Sequence, residues 1–289
     1  MERLVPIERK ISQIAEIIRR NVMGDRPLLW KVLPDSIKES LYHRVLYPPS
    51  RKWHSLYESS SLRFAPSVEV RLEPNDRMHG QIAFLGYYDK ELSKIIARMG
   101  REKRGKFVDV GANIGYYSLL WVAQSPENEA VAVEPSPRVQ SLLQENIERN
   151  GFGDRITIAE VAAGQEKGEV KFDVGPEDEV GWGGVTGKEE ETVTEGSKEV
   201  IEVPQRRLDE IVDGPVTLMK VDVEGAEAWV FQGAEGILES QKVEMICFEN
   251  NRVRTRRLEI EEDAPFNVLK QYGYDIVERN NTFWAEPRG

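Results

Sequence analysis

Residues 107–117, Phe-Val-Asp-Val-Gly-Ala-Asn-Ile-Gly-Tyr-Tyr, decide the fold. Lys106 to Gly111 reads as a buried β-strand, and it runs through Ala112-Asn113-Ile114-Gly115 into an apolar helix, Tyr116–Val122. Gly111 and Gly115 let the backbone turn sharply and come close to a ligand. Asn113 holds the small-residue position between them and tolerates positive φ better than most side chains. The helix start presents free N–H groups that suit a carboxylate. Asp109 is placed to accept from a ligand's ammonium group, directly or through water. Alone, such a turn serves dinucleotides and plain packing equally well.

The surrounding sequence narrows the choice. Glu134 ends the next apolar strand, 25 residues after Asp109. A carboxylate there can chelate the two ribose hydroxyls of a nucleoside cofactor. At the third strand, Glu160 and Val161 would then lie beside the adenine, with backbone N–H groups of Val161 and Ala162 facing ring nitrogens. From Lys106 onward, apolar strands (106–111, 129–134, 156–162, 216–222, 243–249, 274–278 and 282–286) alternate with helices (115–124, 137–150, 226–239 and 264–272). A further helix is expected at 88–99. Alternation of this kind predicts a mainly parallel sheet with helices on both faces. Only Arg279-Asn280-Asn281 joins the last two strands, and parallel strands need a long crossover, so these two form an antiparallel hairpin. A doubly wound, seven-stranded, mainly parallel α/β sheet ending in a hairpin is the arrangement of class I methyltransferases, which use S-adenosylmethionine (SAM). A nicotinamide oxidoreductase would share the glycine turn and the ribose acid but would continue with another parallel crossover. A non-catalytic SAM-binding module is the remaining alternative.

Composition excludes other classes. The chain carries −11, spread unevenly: residues 1–70 hold 12 Lys/Arg against 8 Asp/Glu, and the remainder holds 27 against 42. An acidic catalytic body lacks the clustered Lys/Arg that nucleic acid requires. Without a membrane-length apolar run or a signal segment, and with Cys247 as the only cysteine, cytoplasmic residence is expected. The division expected is a helical N-terminal extension, 1–75, and a catalytic domain, 76–289. Leu4, Ile7, Ile11, Ile14 and Ile18 form an apolar helical stripe that packs on its own domain or makes a homodimer seam. Residues 40–58 mix Tyr42, Tyr47, Trp53 and Tyr57 with basic side chains, which suits local packing or a sugar. The acidic, Gly-rich stretch 175–199 interrupts the alternation and reads as a mobile excursion, with Trp182 between two glycines as a lid candidate.

In an open α/β sheet, ligands bind beyond the carboxyl ends of the strands. Asp222 ends one strand there and Glu249-Asn250 end the next. Either carboxylate can accept a hydroxyl's proton as a bond to carbon forms. Lys220 shares the face of Asp222. Arg252 opens a run of four arginines suited to an anionic substrate group, with mutual pairing to the following acids as the plain alternative. Glu224 and Glu227 read as structural acids at a helix start.

FVDVGANIGYYS (107–118), VPQRRLDEI (203–211) and MKVDVEGAEAWVFQGAEGIL (219–238) together resemble the FkbM family of methyltransferases. The family's Lys-x-Asp-x-Glu-Gly-x-Glu run is matched by Lys220, Asp222, Glu224, Gly225 and Glu227, and FLGYYDKE (84–91) looks like its upstream segment. The resemblance spans roughly 80–286. It implies SAM as cofactor and, as acceptor, a hydroxyl on a sugar or a glycosylated or polyketide small molecule. Asp222, Glu249 and Asn250 are also similar to the metal-binding set of catechol-type O-methyltransferases, which would suit Mg²⁺. The metal-free reading is preferred.

Overall fold

The computed structural model describes residues 33–42, 54–176, 180–187 and 199–289. Two compact units divide between Ser93 and Lys94. In the first, helices α1 (Asp35–Leu41) and α2 (His54–Glu58) precede an antiparallel hairpin, β1 (Ser60–Leu62) with β2 (Ala65–Val70), and then α3 (Arg77–Leu85). The extension is therefore not wholly helical. Tyr42 and Tyr57 are core residues of this unit, and the Tyr42 hydroxyl donates to the Arg77 carbonyl at 2.9 Å. His79 is a buried structural histidine whose Nδ1 accepts from the Glu73 N–H. The expected helix at 4–21, with its dimer seam, lies outside the described residues.

Helix α4 (Lys90–Glu102) leads to β3 (Lys106–Val110), α5 (Tyr116–Val122), β4 (Glu129–Val133), α6 (Pro137–Arg149) and β5 (Ile156–Ala159). Next come β6 (Ala162–Ala163), β7 (Gly168–Asp173), β8 (Gly184–Val185), β9 (Val200–Arg206) and β10 (Leu218–Val221). The chain finishes with α7 (Glu227–Gln232), α8 (Glu235–Glu239), β11 (Ile246–Phe248), α9 (Arg252–Arg257), α10 (Ala264–Gln271), β12 (Tyr274–Arg279) and β13 (Thr282–Pro287).

The main sheet has the order β12-β13-β11-β10-β3-β4-β5. All its pairs are parallel except those of β13, which runs antiparallel to both β12 and β11. This is the seven-stranded sheet with terminal hairpin that the alternation predicts. Its central strands are buried on both faces, as parallel strands flanked by helices are. On one face Val108, Val110, Met219, Val221, Ile246 and Phe248 pack with Phe231, Leu238 and Leu269 from α7, α8 and α10. The other face is different in kind. There, paired residues Asp109, Lys220, Cys247 and Trp284 run in one row across four strands, all buried.

Three details depart from the sequence reading. The expected helix 226–239 is two, α7 and α8, and the Gly233 backbone between them lies against the Gly164 carbonyl with no room for a Cβ. The third strand ends at Ala159, and Ala162–Ala163 instead joins a second, four-stranded sheet of order β6-β9-β7-β8. Part of the 175–199 excursion belongs to that sheet: a 3₁₀ turn at Val180–Trp182 precedes β8, which pairs with β7 through Phe172–Val185 and Asp173–Gly184. No helix among the described residues is long and apolar enough to cross a membrane.

Candidate functional site

The turn after β3 is held from both sides. Gly111 has φ 79°, and a Cβ on it would run into the carbonyl oxygen of Asp222. Its size thus serves the neighbouring strand end before any ligand. The N–H groups of Gly111 and Ala112 both donate to the Val133 carbonyl, at 3.0 and 3.1 Å. Asn113 adopts φ 51°, and its N–H donates to Glu134 Oε2 at 2.8 Å. Glu134 Oε1 accepts from the Ser136 N–H at 2.9 Å. Gly115 sits beneath Leu143 of α6.

Glu134 is buried, and burial pushes its carboxyl up to about 7 although the two backbone N–H groups oppose this. Each carboxylate oxygen keeps a second acceptor site. Glu134 can therefore hold the turn and still receive hydroxyl groups.

Asp109 is fully buried in the middle of β3. Its Oδ2 accepts from the Ser118 N–H at 3.1 Å and from the Ser118 hydroxyl at 2.8 Å. Its Oδ1 has no hydrogen-bond partner, and neither has the buried Oδ1 of Asn113. An orphaned buried acceptor costs about 1–3 kcal/mol. Two on one turn fit a ligand that brings donors, as the ammonium and ribose groups of SAM do. Burial pushes the Asp109 carboxyl above its ordinary range, against the Lys220 charge 3.9 Å away. On the adenine side the fit is less direct. The Val161 N–H donates to its own Ala159 carbonyl at 2.9 Å, and the Glu160 side chain is exposed.

Lys220 joins the two halves of the site. Its ammonium lies 3.2 Å from Asp222 Oδ2 and 3.9 Å from Asp109 Oδ1, beneath the Tyr117 ring. Burial pulls its pKa down, but the charges of Asp222 and Asp109 outweigh that and hold it above the ordinary lysine value. Asp222, just past β10, keeps 30% of its side chain exposed while Lys220 fixes one oxygen. Glu249 is exposed at the end of β11. Asn250 donates to the Glu262 carbonyl at 3.3 Å and leaves its own Oδ1 buried without a partner. Among the described residues no group of three or more His, Cys, Asp or Glu side chains is arranged to hold a metal ion.

Between β10 and α7 the chain makes a strained corner. Glu224 has φ 57°, a region costly for a residue with a Cβ, and Gly225 follows at φ 105°. A Cβ on Gly225 would stand 2.7 Å from the Thr255 nitrogen, so only glycine lets α9 pack this closely. Strain of this sort tends to gather at functional sites. Burial, then the charge of Asp222, raises the Glu224 carboxyl, while burial takes Glu227 up to about 8. Glu227 Oε1 accepts from the Gly225 N–H and steadies the corner.

The four arginines separate by direction. Arg252 and Arg256 pair with Glu262 at the surface, at 3.8 and 2.7 Å. Arg254 turns inward: its Nε is 3.7 Å from Glu224 and its Nη2 donates to the Trp182 carbonyl at 2.6 Å. Asn251 caps α9 by accepting from the Arg254 N–H, and its amide donates to Glu224 at 2.9 Å. Asn251 and Ser118 were not singled out from sequence, and Arg254 was read only as one of four arginines. The available signal for Asn251 was an Asn just before a helix.

A search of curated proteins finds no match to the chain. Among solved structures, the methyltransferase FkbM of Methylobacillus flagellatus KT aligns over 81% of this chain at 17% identity, with a TM-score of 0.45. This chain spans 57% of the length of that protein. The SAH-bound methyltransferase of Podospora anserina aligns over 98% of this chain and 97% of its own, at 14% identity and a TM-score of 0.43. The family model described as the methyltransferase FkbM domain matches residues 109–276, more than half of the sequence, and it covers the glycine turn, the Lys220–Glu227 run and β11. The chain belongs to the FkbM methyltransferase family.

Proposed function

We propose that the protein transfers a methyl group from SAM to a hydroxyl oxygen of a carbohydrate or glycosylated small molecule. The observation that carries this is Asp222: a half-exposed carboxylate beyond the sheet, gripped by Lys220, whose own carbonyl abuts the cofactor turn at Gly111. Asp109 and Asn113 would hold the amino-acid end of the cofactor and Glu134 its ribose, with Glu160 and Val161 beside the base. When bound, SAM supplies a methyl group activated by its sulfonium.

Asp222 orients the acceptor hydroxyl and takes its proton as the C–O bond forms, a contribution of about 10²–10⁴-fold. Lys220 holds one oxygen of Asp222 at 3.2 Å and so fixes its orientation. Glu249 is the second candidate base, and Trp182, Asn250 and Arg252 are the candidate acceptor contacts. The reading needs no metal.

The test is incorporation of labelled methyl into a panel of free and glycosidic sugars. Asp222→Asn is expected to lower turnover by about two to four orders of magnitude with S-adenosylhomocysteine affinity retained. Full turnover in that variant would remove Asp222 and leave Glu249. Transfer unchanged by exhaustive chelation is expected, and loss restored by Mg²⁺ would overturn the metal-free mechanism.

A further inference from the structure

We infer that Arg254 is a positioning residue that latches the strap Val180–Val185 onto the cofactor turn, so that the strap slows departure of the nucleoside product. The inference rests on the SAM reading above. Its geometry comes from three contacts. A Cβ built on Gly181 would lie 3.4 Å from Asn113 Nδ2, so the strap passes directly over the turn. Arg254 Nη2 holds the Trp182 carbonyl, the next residue along. A Cβ on Gly184 would stand 2.9 Å from Arg254 Nη1 and 3.3 Å from Glu224 Cβ, so the strap rests on the Arg254–Glu224 pair.

The anchor is itself fixed. Glu224 is constrained by its left-handed backbone and by Asn251, and the Arg254 side chain is only 16% exposed. The guanidinium addresses Glu224 through Nε and the strap carbonyl through Nη2, two nitrogens held apart in one rigid plane, where a lysine offers a single point. The strap also pairs with β7 at two positions, and the Thr186 N–H donates to the Lys171 carbonyl. Arg254 adds the tie from α9 to the Trp182 carbonyl.

The experiment compares wild type with Arg254→Met, which keeps the apolar stem. In ligand-free protein, amide hydrogen exchange in the peptide spanning 180–187 is expected to accelerate roughly tenfold on loss of one charge-assisted hydrogen bond. Exchange in β3 and β10 is expected to stay unchanged. S-adenosylhomocysteine, added as the probe, is expected to dissociate faster by a similar factor. Arg254→Lys, expected to fall between the two, carries the same comparison should Arg254→Met not fold. Equal exchange in 180–187 overturns the latch. Faster exchange with unchanged dissociation overturns its link to the cofactor site. A wild-type protein that binds no S-adenosylhomocysteine overturns the SAM reading instead, and the exchange comparison still decides the latch.

Discussion

The two faces of strand β10 are built on opposite principles. Met219 and Val221 enter a core of aliphatic and aromatic side chains that asks only for volume and shape. Lys220 and Asp222, one residue out of phase, enter a row of ionisable groups that asks for particular partners at particular distances. Burying charge is costly unless it is paired, and even a paired set rarely adds stability over apolar packing. The fold gains little from the polar face that a leucine would not give. What that face adds is a fixed carboxylate at the strand end and an acceptor left over at Asp109.

The largest effect expected from breaking this contrast is at its centre. Lys220→Met should cost about 3–5 kcal/mol of stability by leaving buried carboxylates without their counter-charge. It should also weaken S-adenosylhomocysteine binding, measured by titration calorimetry. Met219→Ala should cost a comparable 2–5 kcal/mol in denaturant unfolding, yet leave that affinity unchanged. Equal loss of affinity in both variants would dissolve the distinction between the faces.

A proton titration sharpens it next. Burial holds Glu134 up to about 7 in the folded protein, against an ordinary 4.5. The native state then binds that proton more tightly than the unfolded chain does. Its contribution to stability is full below about 4.5 and is lost as pH rises through about 7, an effect of order 3 kcal/mol. Cofactor binding should run the other way, because an ionised carboxylate accepts from ribose hydroxyls. Affinity for S-adenosylhomocysteine should rise as pH rises through 7, and both slopes should vanish in Glu134→Gln.

The smallest effect is expected at Cys247, which lies in the polar row beside Lys220 but whose thiol burial drives up to about 12. Cys247→Ala should lower stability by about 1 kcal/mol, read as a shift in the unfolding midpoint, and leave the methyl-transfer rate intact. A rate loss of tenfold or more would move Cys247 from packing into chemistry.

Legibility from sequence followed the same division. Strands such as Lys106–Val110 and Leu218–Val221 are apolar runs bounded by turn residues, and the three-residue joint at 279–281 admits only a hairpin. Those signals are local, and the main sheet followed from them. The second sheet was not legible because two of its strands are two residues long and take their register from partners far away in sequence. The expected single helix 226–239 divides at Gly233, where the chain meets Gly164, a contact no local pattern carries. At the site, residue types announced Asp109, Glu134 and Asp222. Their partners did not: that Glu134 spans Asn113 and Ser136, or that Arg254 rather than Arg252 faces inward, depends on side-chain direction.

Gly111 has a wider consequence for anyone redesigning this enzyme. Because its α-carbon nests against the carbonyl of Asp222, the proposed seat of the donor and the proposed base share one mechanical joint. A change at that joint would disturb both at once and be unreadable as either.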